Sequence, residues 1–378
     1  MDAPGEKLLI RLWETITEKG IGGLLRPWQF KREARALLEV RHEELVILAQ
    51  AEKDAEEIRT GRKRLRKDGP ALTLEPSDAS NYEPRVSLHG SATDHNLGLV
   101  LQQIATENIV ADAVRREVNV AKALLQAEAA LENDCEEPPQ DILDEDWLYR
   151  WRDCASQVST ERLQSLWGSL LAGEIKSPGR FSLRTLDFLR NLSQGEAKDI
   201  ELLFRYTLND RIVRGIDYWE DRFDDVLSKP GITFGFLCRM HELGIVAGVE
   251  SGHGFEWTIK SESDDHFLSA LISHDKMLCL QHKDAKKTLQ ISGYPLTIIG
   301  QQLARIGVFT SDESYVRKVG EAIASNGYQV LLADTDAFER AGSQADDGPP
   351  VVPGEIIEAP KRSKGGKSES TNATASDV

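Results

Sequence analysis

Histidines and carboxylates gather in one part of the sequence, and such residues could bind a metal ion or move protons. Imidazole and carboxylate groups that converge on one point hold zinc or activate water. The spacing here matches no ligand motif, and a polar surface is the simpler interpretation. We therefore predict no metal site in this cluster, which comprises Asp264, Asp265, His266, His274, Asp275 and His282.

Other catalytic and cofactor motifs are also missing from the sequence. The pair His241-Glu242 lacks the second histidine that a metalloprotease helix carries one turn on, because Ile245 stands there. No glycine-rich loop matches a phosphate-binding or dinucleotide-binding pattern. Gly168-Ser169 falls in a predicted helix, whereas a nucleophilic serine needs a sharp strand-to-helix turn. We predict a protein that is not an enzyme and has no cofactor.

A dense block of basic residues could neutralise the phosphates of a nucleic acid. Such contacts release counterions and make binding sensitive to salt. The net charge of −16 opposes this binding, and a solvated helix end is the simpler interpretation. Nucleic-acid binding stays open as the alternative function. Its candidate contacts are Arg59, Arg62, Lys63, Arg64, Arg66, Lys67 and, further along the chain, Arg239.

A glycine-rich break follows the first predicted helix and could act as a hinge. Glycine allows backbone angles that other residues avoid, so the simplest interpretation is a tight connection between two helices. Self-association and contact with a membrane surface are alternatives that stay open. The candidate residues for the hinge and for self-association are Gly20, Gly22, Gly23, Trp28, Leu38 and Leu45.

The helices that position these residues are predicted from apolar residues at helical spacing. Residues 1–67 form a helical arm that includes the hinge, residues 68–96 a proline-containing linker, and residues 97–137 a second long helix. The narrow apolar stripes of the two long helices favour coiled-coil pairing, within one chain or between two. Residues 338–378 are rich in Gly, Ser, Pro and charge, which predicts disorder.

Residues 144–335 are predicted to form one domain that begins with helices and continues with mixed helices and strands. A hairpin predicted over residues 246–260 follows three helices, an order typical of a winged helix. A second hairpin is predicted between residues 277–280 and 288–291. The fold class is therefore mainly α with a smaller α+β part, comprising long N-terminal helices, a helical middle and a winged-helix-like C-terminal region.

The sequence also carries information about location. The amino terminus lacks the basic region and apolar core of a signal peptide. No apolar run approaches the ~20 residues that cross a bilayer. We therefore predict a cytoplasmic protein whose four cysteines are reduced.

Three segments resemble an uncharacterised bacterial family known only as a domain of unknown function. The first is residues 6–29, with the motif Gly-Ile-Gly-Gly-Leu-Leu-Arg-Pro-Trp at residues 20–28. The second is Leu-Trp-Gly-Ser-Leu-Leu-Ala-Gly-Glu-Ile at residues 166–175 together with residues 181–189, and the third is residues 291–300. The second segment is also distantly similar to abortive-infection alpha proteins, and this resemblance implies a role in phage defence. The family has no assigned catalytic residues, so it implies none here. We expect a non-enzymatic bacterial interaction or regulatory protein that associates with itself or with a protein partner.

Overall fold

The computed structural model describes residues 5–19, 37–68, 71–76, 93–216, 221–222, 224–252, 254–336 and 354–359. The chain divides into two units, Met1–Leu192 and Ser193–Val378. This boundary falls inside residues 144–335, which we expected to form one domain. Each unit is described by itself.

The described residues of the first unit are helical apart from one hairpin and the connecting turns. Its helices are α1 (Glu6–Glu18), α2 (Leu37–Arg59), α3 (Thr93–Leu131), α4 (Glu145–Ser156), α5 (Glu161–Lys176) and α6 (Leu183–Asn191). Its hairpin consists of the antiparallel strands β1 (Lys63–Asp68) and β2 (Ala71–Pro76). The prediction of long N-terminal helices followed by a helical middle is confirmed.

The core of the first unit forms where α5 crosses α3 at very short range. A Cβ atom added to Gly168 would lie 2.5 Å from Cβ of Gln126 and 2.8 Å from the backbone nitrogen of Ala127. Only glycine fits this crossing without a shift of one helix. Beside it, the buried indole of Trp151 donates a hydrogen bond of 2.8 Å to the carbonyl of Trp167. The most specific sequence motif of the chain therefore has a packing role.

A buried carboxylate closes the turn between α5 and α6. Glu174 is 1% exposed and accepts hydrogen bonds from the backbone nitrogens of Gly179, at 2.5 Å, and Phe181, at 2.9 Å. Burial raises the pKa of Glu174, although the two backbone N–H groups act in the opposite direction. Glu174 thus accepts hydrogen bonds from two backbone N–H groups that lie between α5 and α6, outside the hydrogen-bonding pattern of either helix.

Helices α2 and α3 pack against each other in one chain and run antiparallel. Ala55 and Ile58 of α2 form a small buried cluster with Ala111 of α3. Nearer the amino end of α2, Glu52 pairs at 2.7 Å with Lys122, which lies further along α3. The order of these contacts is reversed in the two helices, so the long helices pair within the chain.

The prediction that the arm remains helical to residue 67 and that a linker fills residues 68–96 is wrong. Helix α2 ends at Arg59, because Gly61 adopts a φ of 73° and the nitrogen of Arg62 donates to the carbonyl of Glu57 at 2.8 Å. This Schellman arrangement terminates a helix where glycine can take a left-handed conformation. The hairpin β1–β2 then occupies the end of the predicted helix and the start of the predicted linker.

The second unit combines helices with two four-stranded antiparallel sheets. Its helices are α7 (Gln194–Phe204), α8 (Asp224–Ser228), α9 (Phe234–Glu242), α10 (Ile298–Ala304) and α11 (Glu313–Ser325). Its strands are β3 (Arg211–Ile216), β4 (Asp221–Arg222), β5 (Phe255–Ile259), β6 (Phe267–Ile272), β7 (Lys276–His282), β8 (Leu289–Pro295), β9 (Gln329–Asp334) and β10 (Gly354–Ile357). The sheets have the strand orders β4-β3-β8-β5 and β10-β9-β7-β6. The predicted smaller α+β part is confirmed at this level.

Strand pairing in the second unit differs from both predicted hairpins. Strand β5 pairs with β8 and not with residues 246–249, where Val246 bridges Leu296 and Val249–Ser251 forms a 3-10 turn. Strand β7 pairs with β6 and β9, so β7 and β8 belong to different sheets. Adjacent segments in sequence suggested the two hairpins, but β5 pairs with β8 and β7 pairs with β6 and β9.

One further correction concerns the predicted disordered tail. Within residues 338–378, Gly354–Ile357 form β10 and pair antiparallel with β9. A short apolar strand gains its stability from an existing sheet edge, which composition alone does not reveal.

Substituting Gly168 tests the close crossing. Gly168→Ala should lower the free energy of unfolding by about 1–3 kcal/mol, because the added methyl group overpacks the contact with α3. Gly195→Ala is the control, since its nearest atom outside the local backbone lies at 3.9 Å. The control should change stability by at most about 1 kcal/mol, in the stabilising direction. Urea unfolding followed by circular dichroism measures both, and equal effects would contradict the crossing.

Substituting Glu174 tests the buried carboxylate. Glu174→Ala should lower the free energy of unfolding by about 1–3 kcal/mol, because two backbone N–H groups lose their hydrogen-bond acceptor. A raised pKa means that the folded protein keeps this proton to a higher pH than the unfolded chain. The ordinary pKa of a glutamate side chain is 4.5. As the pH rises above this value, ionisation of Glu174 lowers the free energy of unfolding of the wild type but not that of the variant. The stability deficit of the variant should therefore shrink with rising pH, and a growing deficit in urea titrations would overturn the assignment.

Candidate interaction surface of the helical arm

The two long helices of the first unit differ greatly in length. Helix α3 contains 39 residues and α2 contains 23. At 1.5 Å per residue these helices are about 58 Å and 34 Å long. Because Ala55 and Ile58 near the end of α2 meet Ala111, the residues of α3 before position 107 extend beyond the end of α2.

The apolar pattern of α3 continues into this extension. Ala111, Val118 and Leu125 follow one another at seven-residue intervals and are buried. One interval earlier, Ile104 is 44% exposed, and Leu101 one turn before it is 57% exposed. Ile109 is 69% exposed on a neighbouring face. We call Leu101, Ile104 and Ile109 the uncovered stripe.

Leu101 and Ile104 of the uncovered stripe lie in a segment without charged side chains, whereas Ile109 follows Glu107. Residues 95–106 contain no Asp, Glu, Lys or Arg, although these types make up 29% of the whole chain. A second molecule can approach this segment without bringing like charges together, despite the net charge of −16. Apolar exposure and local neutrality are both features of protein interaction surfaces.

The predicted basic block is divided between the end of α2 and strand β1, and two of its residues form ion pairs with acids of α2. Arg59 pairs with Glu56 at 2.8 Å, and Lys63 lies 2.7 Å from both Asp54 and Glu57. These hydrogen bonds lower the pKa of the Asp54, Glu56 and Glu57 carboxyls. The acids of α2 therefore remain ionised and offset part of the positive charge.

The remaining members of the basic block lie just before strand β1 or within it. Arg62 is exposed and its Nε donates to the hydroxyl of Thr60 at 3.2 Å. In register, Arg64 stands opposite Glu75, Arg66 opposite Thr73, and Lys67 opposite Leu72. A strand in place of a helix end thus distributes the basic residues along one edge of a two-stranded ribbon.

The other predicted contact residues lie elsewhere. Arg239 belongs to α9 in the second unit, 3.6 Å from Asp199 and stacked 5.4 Å from the centre of the Phe236 ring. Leu38 and Leu45 lie on α2, but their side chains are outside the described residues. The predicted hinge residues Gly20, Gly22, Gly23 and Trp28 also lie outside the described residues.

The histidine and carboxylate cluster is not assembled into a metal site in the described part of the chain. There, no group of three His, Cys, Asp or Glu side chains is placed to hold an ion. His274 is instead half-buried, with Nε2 3.0 Å from the carbonyl of Phe204 and 3.4 Å from the hydroxyl of Thr207. Burial lowers the pKa of His274, which fits its position as a neutral hydrogen-bonding group.

The uncovered stripe was missed because its residues look like core in the sequence. Leu101 and Ile104 share the helical spacing of the buried positions. The signal that could have identified them is the Thr60-Gly61 pair, which ends α2 before it can cover the first turns of α3.

Within the residues described, no helix combines the length and apolarity needed to cross a membrane.

Comparison with known proteins gives one match. The family model described as "Protein of unknown function (DUF2806)" matches residues 103–320. Two of the three segments that suggested an uncharacterised family, those at residues 166–189 and 291–300, fall inside the match. Searches of curated proteins and of solved structures found no significant match.

Proposed function

The chain belongs to the DUF2806 family of proteins of unknown function, and we propose that it is a non-enzymatic interaction protein that associates with a second copy through the uncovered stripe. The observation that carries this proposal is the exposure of Leu101, Ile104 and Ile109 on a helix that extends beyond its partner. A two-fold arrangement would place the same segment of both copies in contact.

The physical basis of the contact is burial of apolar side chains that are now partly exposed to water. Each square ångström of apolar surface removed from water contributes roughly 25 cal/mol. The contact is short, so the dimer should dissociate on dilution rather than persist at all concentrations. The absence of charged residues between positions 95 and 106 lowers the repulsion that a strongly acidic protein otherwise meets.

The predicted hinge would act with this surface. Gly20, Gly22, Gly23 and Trp28 precede the helix that bears Leu38 and Leu45. In our proposal this segment adjusts or extends the same association. The phage-defence role implied by resemblance to abortive-infection alpha proteins supplies the biological setting in which assembly would matter.

Substituting one residue of the stripe tests the proposal. Sedimentation velocity of the wild type should show dimer formation as the concentration rises. Ile104→Lys should abolish the rise, because it removes apolar surface and places like charges opposite each other in the dimer. Gln103→Lys adds the same charge one residue away, about 100° around α3 from Ile104, and this control should still dimerise.

A monomeric wild type across the concentration range would refute the proposed association. If Ile104→Lys and Gln103→Lys behave alike, association uses another surface. In phage-infected cells that express the protein, plaque counts should be reduced by the wild type and by Gln103→Lys, but not by Ile104→Lys.

Nucleic-acid binding is the second candidate function, and the ribbon geometry of β1–β2 is the observation that favours it. A two-stranded ribbon fits the major groove of B-form DNA, and Arg62 at its start is exposed. The ion pairs of Arg59 and Lys63 with acids of α2 favour the first candidate instead.

A salt titration separates the two candidates. If the hairpin contacts phosphates, affinity for unrelated DNA or RNA should fall steeply between about 50 and 200 mM salt. Arg62→Glu with Arg64→Glu should then remove binding, whereas Arg59→Gln, which alters an ion-paired residue, should have a smaller effect. No mobility shift at low salt would eliminate general nucleic-acid binding.

A further inference from the structure

The C-terminal strand β10 adds itself to the edge of a sheet from far along the chain. Its four residues pair antiparallel with Val330, Leu331, Leu332 and Ala333 of β9. Residues 335–353 separate the two strands in sequence. The strand is therefore a short extended segment, tethered by a long connection, in a groove formed by β9 and α11.

One side of the groove recognises an acidic residue. Arg317 of α11 donates two hydrogen bonds to the carboxylate of Glu355, at 2.8 Å and 2.9 Å. A planar guanidinium that engages both oxygens of a carboxylate fixes its position as well as its charge. These hydrogen bonds lower the pKa of Glu355, so the carboxylate is held ionised.

The groove also restricts the size of the side chain at positions 354 and 357. Ile357 is 6% exposed, and its Cδ1 occupies space that opens because Gly320 of α11 lacks a side chain, since a Cβ there would lie only 2.6 Å away. A Cβ atom added to Gly354 would lie 2.6 Å from the carbonyl oxygen of Leu332. Between them, Ile356 is 73% exposed and meets no such constraint. The groove thus accepts glycine, an acidic residue, any residue and an aliphatic residue, in that order.

Strand β9 is longer than the described strand that pairs with it. Strand β9 extends from Gln329 to Asp334, and the described residues of β10 pair with its four central residues. A longer segment could also pair with Gln329. Addition of a strand to a sheet edge, with pockets for alternate side chains, is a common way for proteins to bind extended peptides.

We propose that β9 and α11 form a binding groove for an extended Gly-acidic-x-aliphatic segment of a partner protein, and that residues 354–357 occupy this groove in cis as a displaceable substitute. The groove is independent of the uncovered stripe and does not depend on self-association. Because β10 is part of the same chain, it competes for the groove at an effective concentration of about millimolar. A partner segment can therefore bind only if it pairs over more residues than β10 does, or if β10 is first released.

The test uses a fluorescent peptide with the sequence of residues 352–359 and the full-length chain. Gly354→Val with Ile357→Asp should release the own strand, because the first change clashes with Leu332 and the second places a charge beside Gly320. By fluorescence anisotropy, this released chain should bind the peptide at least about tenfold more tightly than the wild type does. Circular dichroism of both chains checks that the released chain is folded.

A charge exchange provides the specificity control. Adding Arg317→Glu to the released chain should abolish binding of the peptide and create binding of a second peptide in which arginine replaces the residue equivalent to Glu355. The single variant Arg317→Glu, with Gly354 and Ile357 intact, should show the same switch and does not depend on the stability of the released chain. Equal binding of the peptide by the wild type and the released chain, or no switch with Arg317→Glu, would overturn the proposal.

Discussion

The first unit depends on the close crossing of α5 over α3, which the absence of a side chain at Gly168 makes possible. The helices approach until a Cβ atom would overlap the backbone of Ala127. At this distance the buried indoles of Trp151 and Trp167 fill the space beside the crossing, and the Trp151 indole donates a hydrogen bond to the backbone carbonyl of Trp167. Glu174, two turns further along α5, then satisfies the backbone of the following turn. The motif that identifies the family resemblance thus supports a fold, and none of its described contacts requires a substrate.

The end of α2 explains why α3 exposes an apolar surface. The carboxyl half of α3 is anchored by α5 and α2, whereas its first turns continue beyond the point where α2 ends at Arg59. The heptad spacing of α3 continues through that point, so Ile104 has the spacing of a core residue but is 44% exposed, and no helix among the described residues covers it. The neutral segment around it contrasts with the charged surface of the rest of the chain. Exposed apolar side chains in an uncharged segment are better suited to a protein partner than to a phosphate backbone.

In the second unit, one helix connects the two sheets. Tyr315 of α11 is fully buried, and its hydroxyl interacts with both the nitrogen and the carbonyl of Val213, at 2.8 Å and 3.1 Å, beside the irregularity in β3. The same helix presents Arg317 and Gly320 to the C-terminal strand. Because α11 is held by a buried hydroxyl on one sheet, it offers a fixed wall for the groove beside the other.

Local patterns in the sequence determined the helices and the general class of the protein. The 3.6-residue spacing of apolar positions predicted α3 and the helical middle, and the mixed texture after residue 232 predicted a smaller α+β part. The lack of catalytic spacing gave the expectation of a non-enzymatic protein, which stays a prediction. Tertiary structure alone decided which strands pair, because β5 and β8 or β7 and β9 meet across long stretches of chain and local residues carry no record of a distant partner. It also decided that Leu101 and Ile104 are surface residues. Apolar spacing indicates a face that favours burial, but only the length and end point of the neighbouring helix determine whether that face is covered.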